Sequence, residues 1–524
     1  MKRQVLNLSM GAACMLLLTA CPKPEEKDKQ IENEDAASSY SYSVRIEAAD
    51  DLNAAPALQS FVHAQEGDKW LLFSGRTNKT ADEGGLHNLN GDYANSSFVP
   101  RSYNENLYVY NIGDNSLKSL SIDDMISGMK TLAESNDELR GTLSNYTQLI
   151  PDYLSIFTSS NPQVTQEGDF LYVVGGYGPE YKNGKRDTAT YLTYSQMARI
   201  HIPTMVKLIS GEENKISIQD WSALFRFGTD STFTVTGGEL FIIDNTFYLA
   251  GGHNFGNSQF YVMGAHTFQL NYDNVAASLT AINIDTISDV KALLKSDYAQ
   301  ADVKSQLRRR DCPIVPTLYS NSGTINEGLS FYGGVFRPRK DDSKPLTAWN
   351  TAIHIKPNLS NQIDSVPEAK YSQANYNVYS CPDFGIYDAD MNEVHTFLPG
   401  GIGNGQADSA LSGFTNTLGY TVLEVGTGAI KFEAIPNAFN EQYFGAEAAF
   451  LYSSDVVKYE LNGEETDLID SKKTFKPSDP NEEFMIGYIY GGIQAFEASP
   501  TTYGPGKSAA SNKIWRVLVK KTAN

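Results

Sequence analysis

One pattern constrains this chain more than any other: an apolar, strand-like run ending in a glycine pair or its near equivalent, repeated six times. The copies are Trp70 to Gly75, Phe170 to Gly176, Thr246 to Gly252, Leu329 to Gly334, His395 to Gly401 and Met485 to Gly492. Their spacing is uneven, so the loops vary while the core of the motif does not. A chain that turns sharply where neighbouring units crowd together needs positive φ and no Cβ, which is the reason for glycine there. Before each pair lies another strand-like segment, as in Gly238 to Asp244 and Asn377 to Asp388. After it come a loop rich in Gly, Asn, Asp and Ser, a strand such as Leu107 to Asn111 or Tyr420 to Val425, and a fourth strand. Four antiparallel strands per unit, six times over, predict an all-β fold, a six-bladed β-propeller.

Closure follows from the two ends. After Gly492 only Ile514 to Val519 reads as a strand, which leaves the last unit one strand short. Near the N-terminus Tyr40, Tyr42, Val44, Ile46 and Ala48 alternate with Ser41, Ser43, Arg45 and Glu47, a period of two. This N-terminal strand is expected to complete the last blade and close the ring, removing an exposed sheet edge. Two stretches read as helices on the rim: Ile122 to Tyr146, and Ser288 to Leu307 with Ser288 as N-cap. The charged segment Glu460 to Glu483 reads as a solvated loop.

On its glycine pairs, Gly175-Gly176, Gly251-Gly252 and Gly491-Gly492, the chain resembles the kelch family, whose second strand ends in such a pair. The resemblance spans most of residues 40 to 524. These units are longer than kelch units of about fifty residues, and the downstream Tyr and Trp of kelch units are only patchily present, with Trp349 and Trp515 as candidates. The resemblance therefore implies a fold and not a task.

The first twenty residues have the layout of a secretory leader: Lys2 and Arg3, then an apolar core from Met10 to Ala20 too short to span a bilayer. The tetrad Leu18, Thr19, Ala20, Cys21 resembles the bacterial lipobox, which implies a palmitate-bearing, diacylated Cys21 as the first mature residue. Residues 21–39 are polar and read as a flexible tether. The expected domains are thus a leader over 1–20, a tether over 21–39 and a propeller over 40–524. The expected address is the cell envelope, most simply the outer membrane on either side, with membrane contact through lipid alone. The formal net charge is −20, and loss of Lys2 and Arg3 with the leader makes the body more acidic still. Such a body repels polyphosphate, which excludes nucleic acid as a partner.

Catalytic motifs do not survive inspection. Gly504 to Ser508 lacks the leading glycine of a phosphate loop, since Thr501 stands there. Asp388, Asp390 and Asn392 start like a calcium loop but meet Pro399 where a bidentate glutamate belongs, so a tight turn is expected. None of the seven histidines stands in a metal-ligand spacing, and no cofactor or metal is expected. Cys312 and Cys381, each followed by proline, precede their glycine pairs at similar offsets. Two readings stand for them: a disulfide, or two buried free thiols.

The most suggestive constellation is topological. In a propeller the loops after the second strands emerge on one face, the usual place for binding. The residues after the pairs are Arg76, Tyr177 and His253 in the first three units and Val335, Ile402 and Ile493 in the others, giving a polar and an apolar half. His87, Asn88 and Asn254 stand nearby, and the run Arg308, Arg309, Arg310, Asp311 leads into the fourth unit. The arginines either receive an anionic group or pair with carboxylates to hold the units together. Two functions are expected from this face. One is a non-enzymatic module presenting it to a protein partner or glycan in the envelope. The other is an isomerase or lyase acting on an acidic sugar, with the arginines holding a carboxylate and a His or Glu as base.

Overall fold

In a computed structural model of the chain, each glycine-ended run is a strand whose apolar side chains are buried on both faces, as in Phe170–Val174 and Lys69–Phe73. The described residues are 42–78, 100–182, 184–256, 259–262, 264–288, 305–337, 347–349, 351–366, 377–404, 413–440, 442–476, 482–496, 498 and 508–522. The segments expected as leader and tether, and Cys21, His87 and Asn88, lie outside them. The fold is all-β with a few short helices.

Six antiparallel runs of four strands carry the architecture. The first pairs Val62–Glu66, Lys69–Phe73, Asn106–Asn111 and Ser116–Ser121 in order. The second pairs Gln163–Glu167, Phe170–Val174, Gln196–His201 and Phe225–Thr229. The third pairs Thr236–Ile243, Thr246–Phe255, Gly264–Asp273 and Ser278–Ser288. The fourth pairs Ile314–Asn321, Thr324–Tyr332, Ala352–Lys356 and Gln362–Ser365. The fifth pairs Phe384–Asp388, Glu393–Pro399, Thr417–Glu424 and Ile430–Pro436. In the sixth, Tyr443–Tyr452, Phe484–Ala495 and Ile514–Lys521 are completed by Tyr42–Ala48 from the N-terminal region, in register from Tyr42 opposite Lys521 to Ala48 opposite Trp515. Units two and three join at their outer edges through the pair Phe227 and Ser278, and their first strands lie side by side, so this eight-strand path nearly closes on itself.

The glycines act where the units meet. The second residue of each pair donates its amide to a carbonyl just ahead of the next unit's first strand or, at Phe444, within its first two residues: Gly75 to Ser159, Gly176 to Val235, Gly252 to Arg309, Gly334 to Val378, Gly401 to Phe444 and Gly492 to Leu58. The residue before it is left-handed in every copy, with Ser74 (φ 59) standing where the others have glycine. A Cβ at Gly251 would lie 2.9 Å from the Arg309 carbonyl oxygen, so the small residue is set by the approach of the neighbouring unit.

A second ring lies beside the first. The amide of Asn161 donates to Ser60, Gly237 to Asn161, Asp311 to Gly237, Ser380 to Asp311, Glu447 to Ser380 and Ser60 to Glu447, over 2.5 to 3.3 Å. All six residues have positive φ. Each conformation costs free energy for a residue with a side chain, and each is held by bonds to both neighbours in the ring.

The helices and one hairpin depart from the sequence reading. Ile122–Ser135 is capped by Ser121, whose hydroxyl accepts from the Asp124 amide at 3.0 Å, and Arg140–Leu149 follows. These helices are not rim decoration: Met125, Met129, Leu143 and Tyr146 are buried with Ile202, Met205 and Trp221 in one core beneath the first two units. Ser288 is the last residue of a strand and not a helix cap; most of the helix expected after it lies outside the described residues. The segment expected as a solvated loop contains the hairpin Lys458–Leu461 and Glu464–Asp470. Its second strand runs parallel to Phe384–Asp388, because Leu468 and Ile469 are fully buried despite their charged surroundings. Asp388 and Asn392 form the expected tight turn, the Asp388 carboxylate accepting from the Asp390 amide at 3.2 Å with Asn392 left-handed.

Candidate functional site

The two rings set the register of everything around them. The residue after each glycine pair is opposite the residue that precedes a ring member: Arg76 opposite Gln59, Tyr177 opposite Ser160, His253 opposite Thr236, Val335 opposite Arg310, Ile402 opposite Tyr379 and Ile493 opposite Ala446. The expected division into halves holds in the packing. Val335, Tyr379, Ile402, Phe414, Ala446 and Ile493 form a buried apolar cluster. Beside the rings lies a narrow axial void of about 120 Å3, lined from all six units by groups that include His63, Val164, Glu239, Cys312, Cys381 and Glu447.

The polar half is built around a buried cation. Arg76 is 2% exposed. Donor and acceptor pairing orients the Gln59 amide with its oxygen toward Arg76, accepting from Nη2 at 2.6 Å and Nε at 2.5 Å. The amide nitrogen then donates to Ser60 Oγ and to the Glu447 carboxylate, and Ser60 Oγ also donates to Glu447. Burial lowers the Arg76 pKa against the pull of Glu447. Burial raises the Glu447 carboxyl, opposed by Arg76 and the Ser60 bond.

Aromatic rings stand next to this network. Tyr177 packs on Tyr191 with centroids 5.9 Å apart and edge-on to Phe255 at 5.6 Å, and Tyr103 lies 6.4 Å from Tyr191. The Arg186 guanidinium stands 5.9 Å from the Tyr103 ring centre, is ion-paired to Glu105 at 2.9 Å, and accompanies Tyr181 at 3.0 Å. The Tyr103 hydroxyl is buried and has no hydrogen-bond partner among the described residues. Burial is the main reason its pKa stands well above the ordinary phenol value.

Of the residues singled out in sequence, Arg76, Tyr177 and His253 gather here, and Asn254 is half-buried on the same strand beyond His253. His253 is held neutral, its pKa pushed down to about 2 by burial and by Arg310. The arginine run divides. Arg309 donates to the carbonyls of Gln306, Gly333 and Thr351 at 2.8 to 2.9 Å and lies over the Trp349 ring, so it staples two connections of the fourth unit. Arg308 is buried, and its carbonyl accepts from Trp349 Nε1 at 2.8 Å. Arg310 pairs with Asp311 at 2.6 Å, and Asn161 donates to the other Asp311 oxygen at 3.3 Å. Burial pulls the Arg310 pKa down, but Asp311, Tyr379 and Glu447 together outweigh it, so the net shift is upward.

Of the two readings for the cysteines, the structure has Cys312 and Cys381 as free thiols. Both line the axial void, but Cys312 Sγ is turned to the carbonyls of Pro313 and Gly333, each at 3.5 Å. Burial pushes the Cys312 thiol up to about 12 and raises Cys381 as well. Burial also pushes Asp383 up to about 7. Among the described residues no group of His, Cys, Asp and Glu is arranged to hold a metal ion, and no helix is long and apolar enough to cross a membrane.

Gln59, Ser60, Tyr103, Arg186, Tyr191 and Glu447 escaped the sequence reading. Ser60 and Glu447 sit at equivalent ring positions, but Ser60 precedes its strand and Glu447 lies within its own, so a linear alignment of the repeats does not bring them together. Tyr103, Arg186 and Tyr191 come from loops and ribbons with no repeat signal.

No family model matches the chain, and no curated protein matches it. Among solved structures, one titled "Structure of YjhT" aligns over 90% of this chain and 99% of that chain, at 9% identity and a TM-score of 0.42. At that level neither fold detail nor activity is transferred.

Proposed function

We propose that the chain is a lipid-anchored cell-envelope protein whose leader, Cys21 anchor and tether carry a six-bladed, kelch-like β-propeller over 40–524, and that the propeller mouth binds a glycan. The six four-stranded runs and the two cyclic sets of backbone hydrogen bonds support the six-bladed reading. The observation that carries the binding reading is the placing of Tyr103, Tyr177, Tyr191 and Phe255 around the buried network of Arg76, Gln59 and Glu447. Aromatic faces take the C–H faces of sugar rings, and the buried network of Arg76, Gln59 and Glu447 is bonded within itself and serves to hold the surrounding backbone in place. The outer membrane is the proposed address, with no contact to nucleic acid.

The enzyme reading, an isomerase or lyase working on an acidic sugar through Arg309 and Arg310, draws no support from these side chains. Arg309 is taken up by backbone carbonyls and Arg310 by Asp311. The test is affinity purification of the mature lipidated protein from gently solubilised envelope, with carbohydrate analysis and mass spectrometry of what co-elutes. Carbohydrate that co-elutes with the wild type and is lost in Tyr177→Ala supports the proposal. Repeated recovery of the protein with neither carbohydrate nor a specific partner overturns it, and a stoichiometric protein without carbohydrate replaces the glycan by a protein.

A further inference from the structure

A second cleft lies away from the rings, between the fourth and fifth units. It has a volume of about 340 Å3 and is walled by the strands Ile314–Asn321, Ala352–Lys356 and Gln362–Ser365 on one side and by the turn Leu423 to Gly428 on the other. The Ser320 amide donates to the Val425 carbonyl at 3.0 Å and ties the two walls together. Small groups, Ser320, Ser365, Gly426 and Gly428, leave the space open.

The floor of the cleft is polar and unfinished. Thr317 and His354 both line it and are 3% and 8% exposed. His354 Nδ1 is bonded to Ser330 Oγ at 2.7 Å, which leaves Nε2 as the ring nitrogen still to be paired. His354 Nε2 and Thr317 Oγ1 have no hydrogen-bond partner among the described residues. Leaving two such atoms unpaired in one wall is unfavourable and asks for a polar occupant.

The charges of the cleft are already engaged. Lys356 pairs with Asp364 at 2.5 Å, Gln362 donates to the second Asp364 oxygen at 2.6 Å, and Glu424 accepts from Thr427 Oγ1 at 2.7 Å. Burial keeps His354 neutral, with its pKa pushed down to about 4. One cation against two carboxylates disfavours an anion, and both carboxylates are occupied against a cation. We infer that this cleft is a second ligand site, for an uncharged, hydroxyl-rich molecule the size of one sugar ring, held by Thr317 and His354. The inference is independent of what binds at the mouth.

The experiment is a thermal-shift and calorimetric titration of the mature full chain with glucose, galactose, mannose and N-acetylglucosamine, and with glucuronate and glucosamine as charged counterparts. The wild type is expected to show a saturable rise in Tm with at least one neutral sugar and no response to glucuronate. Thr317→Val keeps the shape and removes an unpaired hydroxyl, so it is expected to fold with an unchanged or higher Tm and to bind roughly tenfold more weakly. Tyr177→Ala, at the mouth, is expected to leave this binding intact. The inference is overturned if no neutral sugar titrates, if only a charged sugar does, or if Thr317→Val binds like the wild type. It is equally overturned if Tyr177→Ala and not Thr317→Val abolishes the response, which would assign the sugar to the mouth.

Discussion

The amide of Gly492 donates to the carbonyl of Leu58 at 2.8 Å, and this bond joins the last repeat of the chain to the first. It is one of six equivalent bonds, and it completes the cycle across the chain ends. Gly492 has φ 78, and a Cβ there would lie 2.5 Å from the Ala446 carbonyl oxygen and 2.7 Å from Ala448 Cβ. Gly323, in a hairpin turn, has φ 85 and nothing within 4 Å of a Cβ. Gly323→Ala therefore tests conformation alone and is expected to cost about 1 kcal/mol. Gly492→Ala adds a collision with backbone and is expected to cost roughly 3–5 kcal/mol. Urea midpoints at constant slope measure both; equal costs would mean that Gly492 is not packed against the strand Tyr443–Tyr452 as described.

The closing strand has its own latch. Asp388, 1% exposed, accepts from Tyr42 Oη at 2.7 Å and pairs with Lys521 at 2.8 Å, so it binds both strands of the closing pair. Burial alone would raise its pKa, but Lys521 and Tyr42 together hold it below the ordinary carboxylate value. With the folded pKa below the unfolded one, its contribution is present above the unfolded value near 4 and is lost as pH falls through the folded value. Asp388→Asn is expected to cost about 2 kcal/mol at neutral pH and to flatten the acid end of the stability curve below pH about 4. An unchanged curve in the variant would show that the latch does not titrate.

A separate window belongs to the histidines. His63, His354 and His395 each have a pKa pushed down to about 4, chiefly by burial. The unfolded chain takes up these protons first, near pH 6.5. Their stabilising effect is full above that value and is lost as pH falls from there toward 4. His253, pushed lower still, adds to this slope, and Asp383, raised by burial to about 7, opposes it, so the three are read as a difference. Unfolding free energy of the wild type minus that of a variant carrying His63→Gln, His354→Gln and His395→Gln is expected to fall between pH 7 and pH 4.5 with a slope approaching three protons; a flat difference would contradict the buried, neutral assignment.

Cys312 and Cys381 give a chemical check on the axial void. Both thiols have raised pKa values through burial, so the reactive thiolate is scarce. Under native conditions an aromatic disulfide reagent is expected to label neither within the time that unfolded protein is fully labelled. Mass spectrometry of the unreduced, denatured protein is expected to show two modified cysteines. A single species with no free thiol would restore the bridge.

The sequence carries the fold more openly than the site. The glycine runs are legible because each serves the same backbone need at a junction, and the alternation from Tyr42 to Ala48 is legible because one face of that strand packs and the other does not. The hairpin at Glu464–Asp470 is hidden because its charged composition masks two buried residues, Leu468 and Ile469. Arg76 and Tyr177 are visible through their fixed offset from the pairs. Gln59 stands opposite Arg76 within the first unit, but Glu447 joins them only after the first and last units are brought together, a long-range consequence that no local pattern encodes. Arg309 misleads because an arginine next to a predicted channel looks like a ligand group until its backbone partners are seen.

The most direct test of the proposed function is equilibrium titration of a glycan that co-purifies with the protein against the wild type, Tyr177→Ala and Tyr103→Phe. Tyr177→Ala removes an aromatic face and is expected to weaken binding at least tenfold, about 1.4 kcal/mol, with little change in Tm. Tyr103→Phe removes only a buried hydroxyl that has no partner among the described residues, so stability is expected to hold or rise while affinity falls. Glycan binding that is undiminished in both variants would contradict the placing of the site at the ring mouth.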